Sequence, residues 1–455
     1  MTRQDIQDQI DRGETLIELP AGQVRLDQPV QTKGKPVRFV GRGQDQTGLQ
    51  VDTVGFLSDS QSLIFQDLWM RGSDPFKSIA ANLRGTGVGA DIEAHGCKFD
   101  GLLDALSGDW LGGFIRVSDC RFTNINRSAI FGRSNGGYWI SQILGNYFDG
   151  RESPALIQLE GAHVGGIIAN NWMQASRCHI AINVAAVGPM DELVISTNLL
   201  DQDSDCTAAI TVNGPNADSA AMHWSGVRIR GNEISTKGCG VLAASPCRLI
   251  VQSNSIRSSG GNEGVRLSGV RSRSVDISNN DITFVGPTGQ AAIGLYSPES
   301  AGITVAGNKG DSVSGQVPAF VHLGGAATGI RITGNTPGAG YSRLITSTAT
   351  GEGSSICGGN YPINQPYLGV VAAAVTELPF ADDGQIVGIT ASGIPITKLT
   401  GLSARAGVRR TLIAGGRVDF VATDNTDNTI GKGFVLSAGE IAVITKFQDN
   451  LWYRI

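Results

Sequence analysis

Apolar and polar residues alternate with a period of two along most of this chain, and each alternating run leads to one recurrent position that is usually asparagine. Residues 275–284 show the pattern, with Asn280 at that position. A period of two is typical of β-strands rather than helices. We call the recurrent position the ladder position. It comprises Leu68, Cys97, Cys120, Asn146, Asn171, Asn198, Asn232, Asn254, Asn280, Asn308, Asn335 and Asn360.

The ladder positions recur every 22 to 34 residues or so, roughly the spacing of a solenoid or another repeat protein. A unit of this length cannot bury its own apolar face, so it must stack on its neighbours. A second apolar run follows each ladder position, as at residues 155–159 and 292–295. Two or three short strands per unit predict an all-β chain folded as a parallel β-helix, with equivalent residues about 4.8 Å apart in successive coils.

Asparagine at the ladder position has a predicted structural role. Its side-chain amide can hydrogen bond to the asparagine above and below, and asparagine tolerates the left-handed backbone of a tight turn. Cys97 and Cys120 are expected to be small buried substitutes in the same series.

The two ends of the chain depart from this pattern. Residues 1–14 predict an amphipathic capping helix, with Thr2 as its N-cap and Ile6 and Ile10 on one side, which would cover the open end of the solenoid. The β-helix is predicted over 15–364. After Pro362 and Pro366 the strands become longer, with glycine, asparagine and aspartate turns, so residues 365–455 favour an antiparallel β-sandwich.

Composition narrows the function classes. The chain carries 62 glycines, 17% charged residues and a formal net charge of −5. No basic stripe indicates a nucleic-acid partner, no apolar run is long enough to insert into a membrane, and the polar N-terminus lacks the apolar core of a signal peptide. Seven cysteines without framework spacing predict reduced thiols in a protein made in a cytoplasm. Without CxxC or HExxH, we expect no metal and no other cofactor.

Both ends also carry a family resemblance. Leu-Pro-Ala-Gly at 19–22 follows the predicted helix, and Gly-Arg-Gly at 41–43 ends a later strand. This order resembles the start of the pectate-lyase-like superfamily of right-handed parallel β-helices, to which many bacteriophage tailspikes belong. Residues 436–440 and 449–453 are similar to the terminal β-domain of tailspikes and tail fibres.

The resemblance implies a homotrimer registered by its C-terminal domain. It also implies a location in the virion tail after synthesis in the host cytoplasm, with bacterial surface polysaccharide and other phage tail proteins as partners. Many tailspikes carry a virion-attachment domain before the β-helix. Here the helix is predicted from the second residue, so either another tail protein holds the spike or the chain is an excised fragment.

One column of side chains is a candidate catalytic site. The third residue after the ladder position is Asp100, Thr123, Asp149, Gln174 and Asp201 on successive coils. Two coil steps, about 9.6 Å, separate consecutive aspartates. Inverting glycosidases hold two carboxyl groups about 6.5–9.5 Å apart, so the column suits glycan hydrolysis. Alternatively, each aspartate is a turn residue that caps its own backbone.

Several further residues are candidates for carbohydrate binding, because aromatic faces stack on the apolar faces of sugars and charged groups bind hydroxyls. They are Trp110, Tyr147, Arg151, Glu152, Trp172, His223 and Trp224. Trp224 could instead cover the core. Lyases of this fold use a basic catalytic residue, and no basic cluster is evident, so a hydrolase ranks above a lyase.

The leading interpretation is a tailspike that recognises O-antigen or capsule, and whether it also cleaves the glycan is left open. One alternative is a secreted bacterial polysaccharide lyase, hydrolase or epimerase, against which the polar N-terminus counts. The other is a structural tail component without enzymatic activity.

Overall fold

The computed structural model describes most of the chain. The residues outside the description are 59–61, 85–90, 111–112, 135–138, 151–152, 162, 175–179, 186–189, 204–205, 214–225, 286–290, 314–316, 325, 329, 339, 342–344, 348–355, 359–368, 372–376, 380–385, 390–394, 401–408, 424–428 and 448–450. The chain forms two compact units, Met1–Arg266 and Leu267–Ile455.

The first unit is a parallel β-helix whose coils each contain three short strands. The first strands of the coils form sheet 1: Leu16–Glu18, Val37–Val40, Leu63–Gln66, Ile92–His95, Gly113–Ser118, Trp139–Leu144, His163–Ala169, Met190–Ser196, Val227–Arg230 and Leu249–Gln252. The second strands form sheet 2: Gly22–Leu26, Thr47–Val51, Trp69–Gly72, Lys98–Asp100, Arg121–Ile125, Tyr147–Gly150, Trp172–Gln174, Leu199–Asp201, Glu233–Thr236 and Ser255–Ser258. The third strands form sheet 3: Val30–Gln31, Val54–Ser58, Ile79–Arg84, Asp104–Trp110, Ser128–Ser134, Ala155–Glu160, Ile180–Ala185, Ala208–Asn213 and Cys239–Ala244.

The second unit begins with coils of the same kind, which confirms the predicted right-handed parallel β-helix. Strand Val265–Ser268 starts in the first unit and ends in the second. The first strands of these coils are Arg271–Ser278, Glu299–Ala306, Ala326–Thr328, Arg331–Thr333 and Ile356–Gly358. The second strands are Asp281–Phe284, Lys309–Ser312 and Thr336–Pro337. The third strands are Ala291–Leu295, Ala319–Leu323 and Ile345–Ser347.

The asparagine ladder lies in the turn between the first and second strands of each coil. Asn171 is buried, its Nδ2 donates to Asn198 Oδ1 at 2.9 Å, and its backbone N–H donates to the same oxygen at 3.1 Å. The other Nδ2 hydrogen reaches Ile143 O on the preceding coil at 2.9 Å. Asn280, Asn308 and Asn335 repeat this arrangement in the second unit. Asn360 lies outside the described residues.

The left-handed backbone conformation occurs one residue earlier than predicted. The residue before the ladder position has a positive φ, as at Asn170 (57°) and Thr197 (52°), whereas the ladder asparagines do not. Glycine takes this place at several coils, including Gly145 and Gly231. The structural role of the ladder asparagine is therefore to form hydrogen bonds. The residue before it is the one that must adopt the left-handed backbone conformation.

The interior of the first unit is also stacked from coil to coil. Phe99, Phe122 and Phe148 are register partners at the second position of successive sheet 2 strands and are fully buried. Their ring centroids lie 5.0 and 4.8 Å apart with nearly parallel planes. Because the second residue of each of these strands points inward, the first and third residues point outward.

Helix Arg3–Asp11 caps the first coil, as predicted. Thr2 and Asp5 form a capping box, and Ile6 and Ile10 are fully buried. Gln7 forms two hydrogen bonds with the backbone of the edge strand: its Nε2 donates to Gln31 O at 3.0 Å and its Oε1 accepts from Gln31 N at 2.9 Å. The helix therefore provides hydrogen-bond partners for the backbone N–H and C=O of Gln31, which would otherwise be unpaired at this edge.

The C-terminal residues form separate small sheets around their own core. A five-stranded sheet has the order Gly369–Val371, Ile386–Ile389, Arg409–Ala414, Ile441–Lys446 and Trp452–Arg454. Its last two pairs are antiparallel, as predicted, and its first two are parallel. Strands Glu377–Pro379 and Lys398–Thr400 pair in parallel, and Val418–Phe420 pairs antiparallel with Phe434–Leu436. Buried Leu412, Phe420 and Trp452 contribute to one core. The predicted boundary at 364/365 falls among undescribed residues and stays a prediction.

Candidate functional site

The outer face of sheet 2 brings the three predicted aspartates into one column. Asp100 pairs in register with Thr123, which pairs with Asp149. Asp149 pairs with Gln174, which pairs with Asp201. We call these five residues the acidic column. Consecutive aspartates are two strand spacings apart, about 9.6 Å, as the sequence predicted. Their catalytic role stays a prediction.

Asp100 has a structural role in this column. Its Oδ1 accepts hydrogen bonds from Thr123 Oγ1 at 2.8 Å and from Asn124 Nδ2 at 2.6 Å. Its Oδ2 lies 3.9 Å from Arg71 Nε. Asn124 has a φ of 56°, so the carboxylate secures a left-handed turn on the next coil. These contacts occupy the Asp100 carboxylate and tie it to the neighbouring coils.

Asp149 and Asp201 are placed differently. Both are partly exposed, and neither forms a hydrogen bond or an ion pair with any residue that the structure describes. Gln174 lies between them on the intervening coil and is exposed. As far as the described residues go, these two carboxyl groups have no partner, and an exposed amide lies between them. Asp149 and Asp201 are therefore better candidates for a catalytic pair than any pair that includes Asp100.

A second outward column runs beside the first, two residues earlier on each strand. Its members, by register, are Trp69, Lys98, Arg121, Tyr147, Trp172 and Leu199. We call it the aromatic–cationic column. Trp172 is 52% exposed, its ring lies 5.4 Å from that of Tyr147, and Tyr147 Oη donates to Gln174 Oε1 at 3.1 Å. That last bond links the two columns.

The sequence identified only part of this second column. Tyr147 and Trp172 were predicted as carbohydrate contacts, and the structure brings them together. Trp69, Lys98 and Arg121 were missed. All three occupy the first position after the ladder residue. An alignment of that position along the chain therefore identifies them from the sequence.

The remaining predicted contacts cannot be placed on this face. Arg151, Glu152, His223 and Trp224 lie outside the described residues. Trp110 ends the strand Asp104–Trp110 in sheet 3 rather than sheet 2, and its side chain is likewise outside the description. Among the described residues, the candidate site on sheet 2 consists of the two columns.

No helix in the described part of the chain is long and apolar enough to cross a membrane. Within the same residues, no three metal-ligating side chains cluster together.

No family model and no curated protein matches the chain. Solved structures match it in fold. The catalytic domain of a GH87 alpha-1,3-glucanase in complex with nigerose is 12% identical, covers 79% of this chain and 66% of its own, and gives a TM-score of 0.50. The mannuronan C-5 epimerase AlgE6 A-module of Azotobacter vinelandii is 16% identical, with coverages of 79% and 95% and a TM-score of 0.44. A PL6 alginate lyase in complex with a trisaccharide is 11% identical, with coverages of 80% and 86% and a TM-score of 0.48. At these identities the likeness shows the fold alone.

Proposed function

We propose that this chain binds a polysaccharide along the outer face of sheet 2. The observation that carries the proposal is the pair of outward columns, aromatic–cationic and acidic, which run side by side in register over successive coils. Aromatic faces stack on the apolar faces of sugar rings, and carboxylates accept hydrogen bonds from hydroxyl groups. A surface that repeats every coil suits a polymer that repeats every few sugars.

The biological setting we propose is a phage tailspike that recognises a bacterial surface polysaccharide. The sequence resemblance at both ends of the chain supports it, and a homotrimer in the virion tail, held by other tail proteins, follows from that resemblance. Exposed apolar side chains near the C-terminus add support, among them Ile441 at 58% and Phe447 at 47%. Large apolar side chains left exposed in this way favour burial against another subunit.

Hydrolysis of the bound glycan is a second element of the proposal. Asp149 and Asp201 would serve as the two carboxyl groups, one donating a proton to the leaving oxygen and the other activating a water. Their separation of about 9.6 Å lies at the upper edge of the inverting range. Asp100 is not included, because Thr123 and Asn124 already occupy its carboxylate.

The test combines binding and cleavage on host O-antigen or capsule. Wild type, Asp149→Asn and Asp201→Asn are assayed for binding and for new reducing ends, with exposed Asp45→Asn as the matched control. Loss of cleavage with binding intact, in both variants but not the control, supports hydrolysis by this pair. Binding without cleavage by wild type would refute the hydrolysis and leave an adhesin. The absence of any glycan binding would overturn the function itself.

The oligomeric state tests the tailspike setting separately. We expect light scattering to give a mass three times 47.6 kDa for the intact chain, and Ile441→Asp to shift it towards the monomer. A stable monomer of the intact chain would refute the tailspike assignment. That result would favour a free-standing polysaccharide lyase, hydrolase or epimerase.

A further inference from the structure

Two basic side chains stand next to each other in the aromatic–cationic column. Lys98 and Arg121 are register partners on adjacent coils, flanked by Trp69 on one side and Tyr147 on the other. Lys98 Nζ lies 5.4 Å from the centroid of the Trp69 ring, and the Arg121 guanidinium lies 5.1 Å from that of Tyr147. The aromatic rings therefore hold both cations against the face of the sheet.

Neither cation has a carboxylate partner in the described part of the chain. Some other basic residues on the outer faces of the coils do have one. Arg116 pairs with Glu93 at 2.6 Å, and Arg133 pairs with Glu160 at 2.5 Å, each on a neighbouring coil. A guanidinium over an aromatic ring keeps its in-plane N–H donors free for an incoming anion.

The acidic column does not cancel these charges. Asp100, on the same strand as Lys98, is already bound by donors and lies beside Arg71. The two columns are two residues apart along each strand, about 7 Å. The face therefore has a cationic side over Lys98 and Arg121 and an acidic side over Asp149 and Asp201.

We propose that the polysaccharide bound here is anionic, carrying carboxylate, phosphate or sulfate groups, and that Lys98 and Arg121 bind those groups. The inference rests on the proposed function and adds the class of ligand to it. The acid substituents would lie over the two cations, the sugar rings would stack on Tyr147 and Trp172, and the hydroxyl edge would face the carboxylates. Charge complementarity would then orient the glycan across the strands.

The experiment uses the full chain and a matched pair of ligands. The probe is a uronate-containing capsular polysaccharide, and its partner is the same polymer after carbodiimide-mediated reduction of its carboxyl groups to alcohols. Dissociation constants are measured for wild type, Lys98→Met and Arg121→Gln. Exposed Arg228→Gln on sheet 1 and Lys237→Met serve as matched controls. Circular dichroism checks that each variant is folded.

We expect wild type to bind the acidic polymer about tenfold or more tightly than its reduced form, because hydrogen bonds to charged groups are the stronger ones. Lys98→Met and Arg121→Gln should each weaken binding of the acidic polymer by about tenfold, while the controls leave it unchanged. Equal affinity for the acidic and reduced polymers would overturn the anionic inference but leave polysaccharide binding in place. If neither polymer, nor any other glycan, binds, both proposals fail. If the acidic polymer binds but Trp172→Ala has no effect, the site lies elsewhere.

Discussion

Replacement of Asn198 with alanine should destabilise the coils on both sides of it. Asn198 is 1% exposed, and its Oδ1 accepts hydrogen bonds from the backbone N–H of Asn171 at 3.1 Å and from Asn171 Nδ2 at 2.9 Å. Its own Nδ2 donates to Asn232 Oδ1 and to Ile168 O, both at 2.9 Å. Alanine removes all four hydrogen bonds.

The magnitude follows from the groups left behind. The Asn171 backbone N–H and one Asn171 Nδ2 hydrogen are then left without an acceptor among the residues that the structure describes. Each buried donor without a partner costs about 1–3 kcal/mol, so Asn198→Ala should lower the free energy of unfolding by about 2–6 kcal/mol. That is a large part of the roughly 5–15 kcal/mol by which a folded domain is stable.

The chain supplies a matched variant, because cysteine occupies the ladder position at two coils. Cys120 Sγ accepts from the Cys97 N–H at 3.4 Å and donates to Ser118 O at 3.2 Å. Asn198→Cys should therefore restore a weak acceptor and cost less than Asn198→Ala. Guanidinium unfolding gives the overall cost, and hydrogen exchange at the Asn171 amide reports the local one. If Asn198→Ala is within about 0.5 kcal/mol of wild type and the Asn171 amide stays protected, the ladder does not stabilise the coils.

Three individual groups carry further predictions. Arg127→Met leaves the fully buried carboxylate of Asp104 without its cation and should lower the free energy of guanidinium unfolding by about 2–4 kcal/mol; adding Asp104→Asn should recover part of it, and an unchanged midpoint would contradict this. Half-buried Cys247 should react with a thiol reagent before Cys239, whose pKa burial raises to about 12; equal rates would contradict this. A backbone N–H and then an arginine lower the pKa of Glu440, so it stabilises the fold above about pH 4.3 and the benefit is lost as pH falls further; Glu440→Gln should flatten that acid limb of Tm against pH, and an unaltered limb would count against it.

The sequence was sufficient for the fold and for the position of the acidic column. In a parallel β-helix each coil aligns with the next, so counting residues from one buried marker such as Asn146 gives the register of the whole sheet. The same count places Asp149 and Asp201 two coils apart, which the strand register confirms.

Other features depend on contacts that a single sequence does not show. Whether an aspartate is free or bound depends on its neighbour across the coil: Asp100 is held by Asn124, while Asp149 is not held by any described residue. The same applies to Lys98, whose lack of a carboxylate partner among the described residues is visible only once its neighbours are placed. The parallel pairing of Ile386–Ile389 with Arg409–Ala414 was also missed, because alternation predicts a strand but not the direction of its partner.

The two hydrogen bonds between Gln7 and the strand Val30–Gln31 also bear on assembly. The terminal coil of a parallel β-helix has edge strands with unpaired backbone groups. Such a strand can pair with the edge strand of another molecule. Here a side-chain amide occupies the donor and acceptor that an incoming strand would need. Helix Arg3–Asp11 therefore protects this strand of the first coil against pairing with the edge of another molecule.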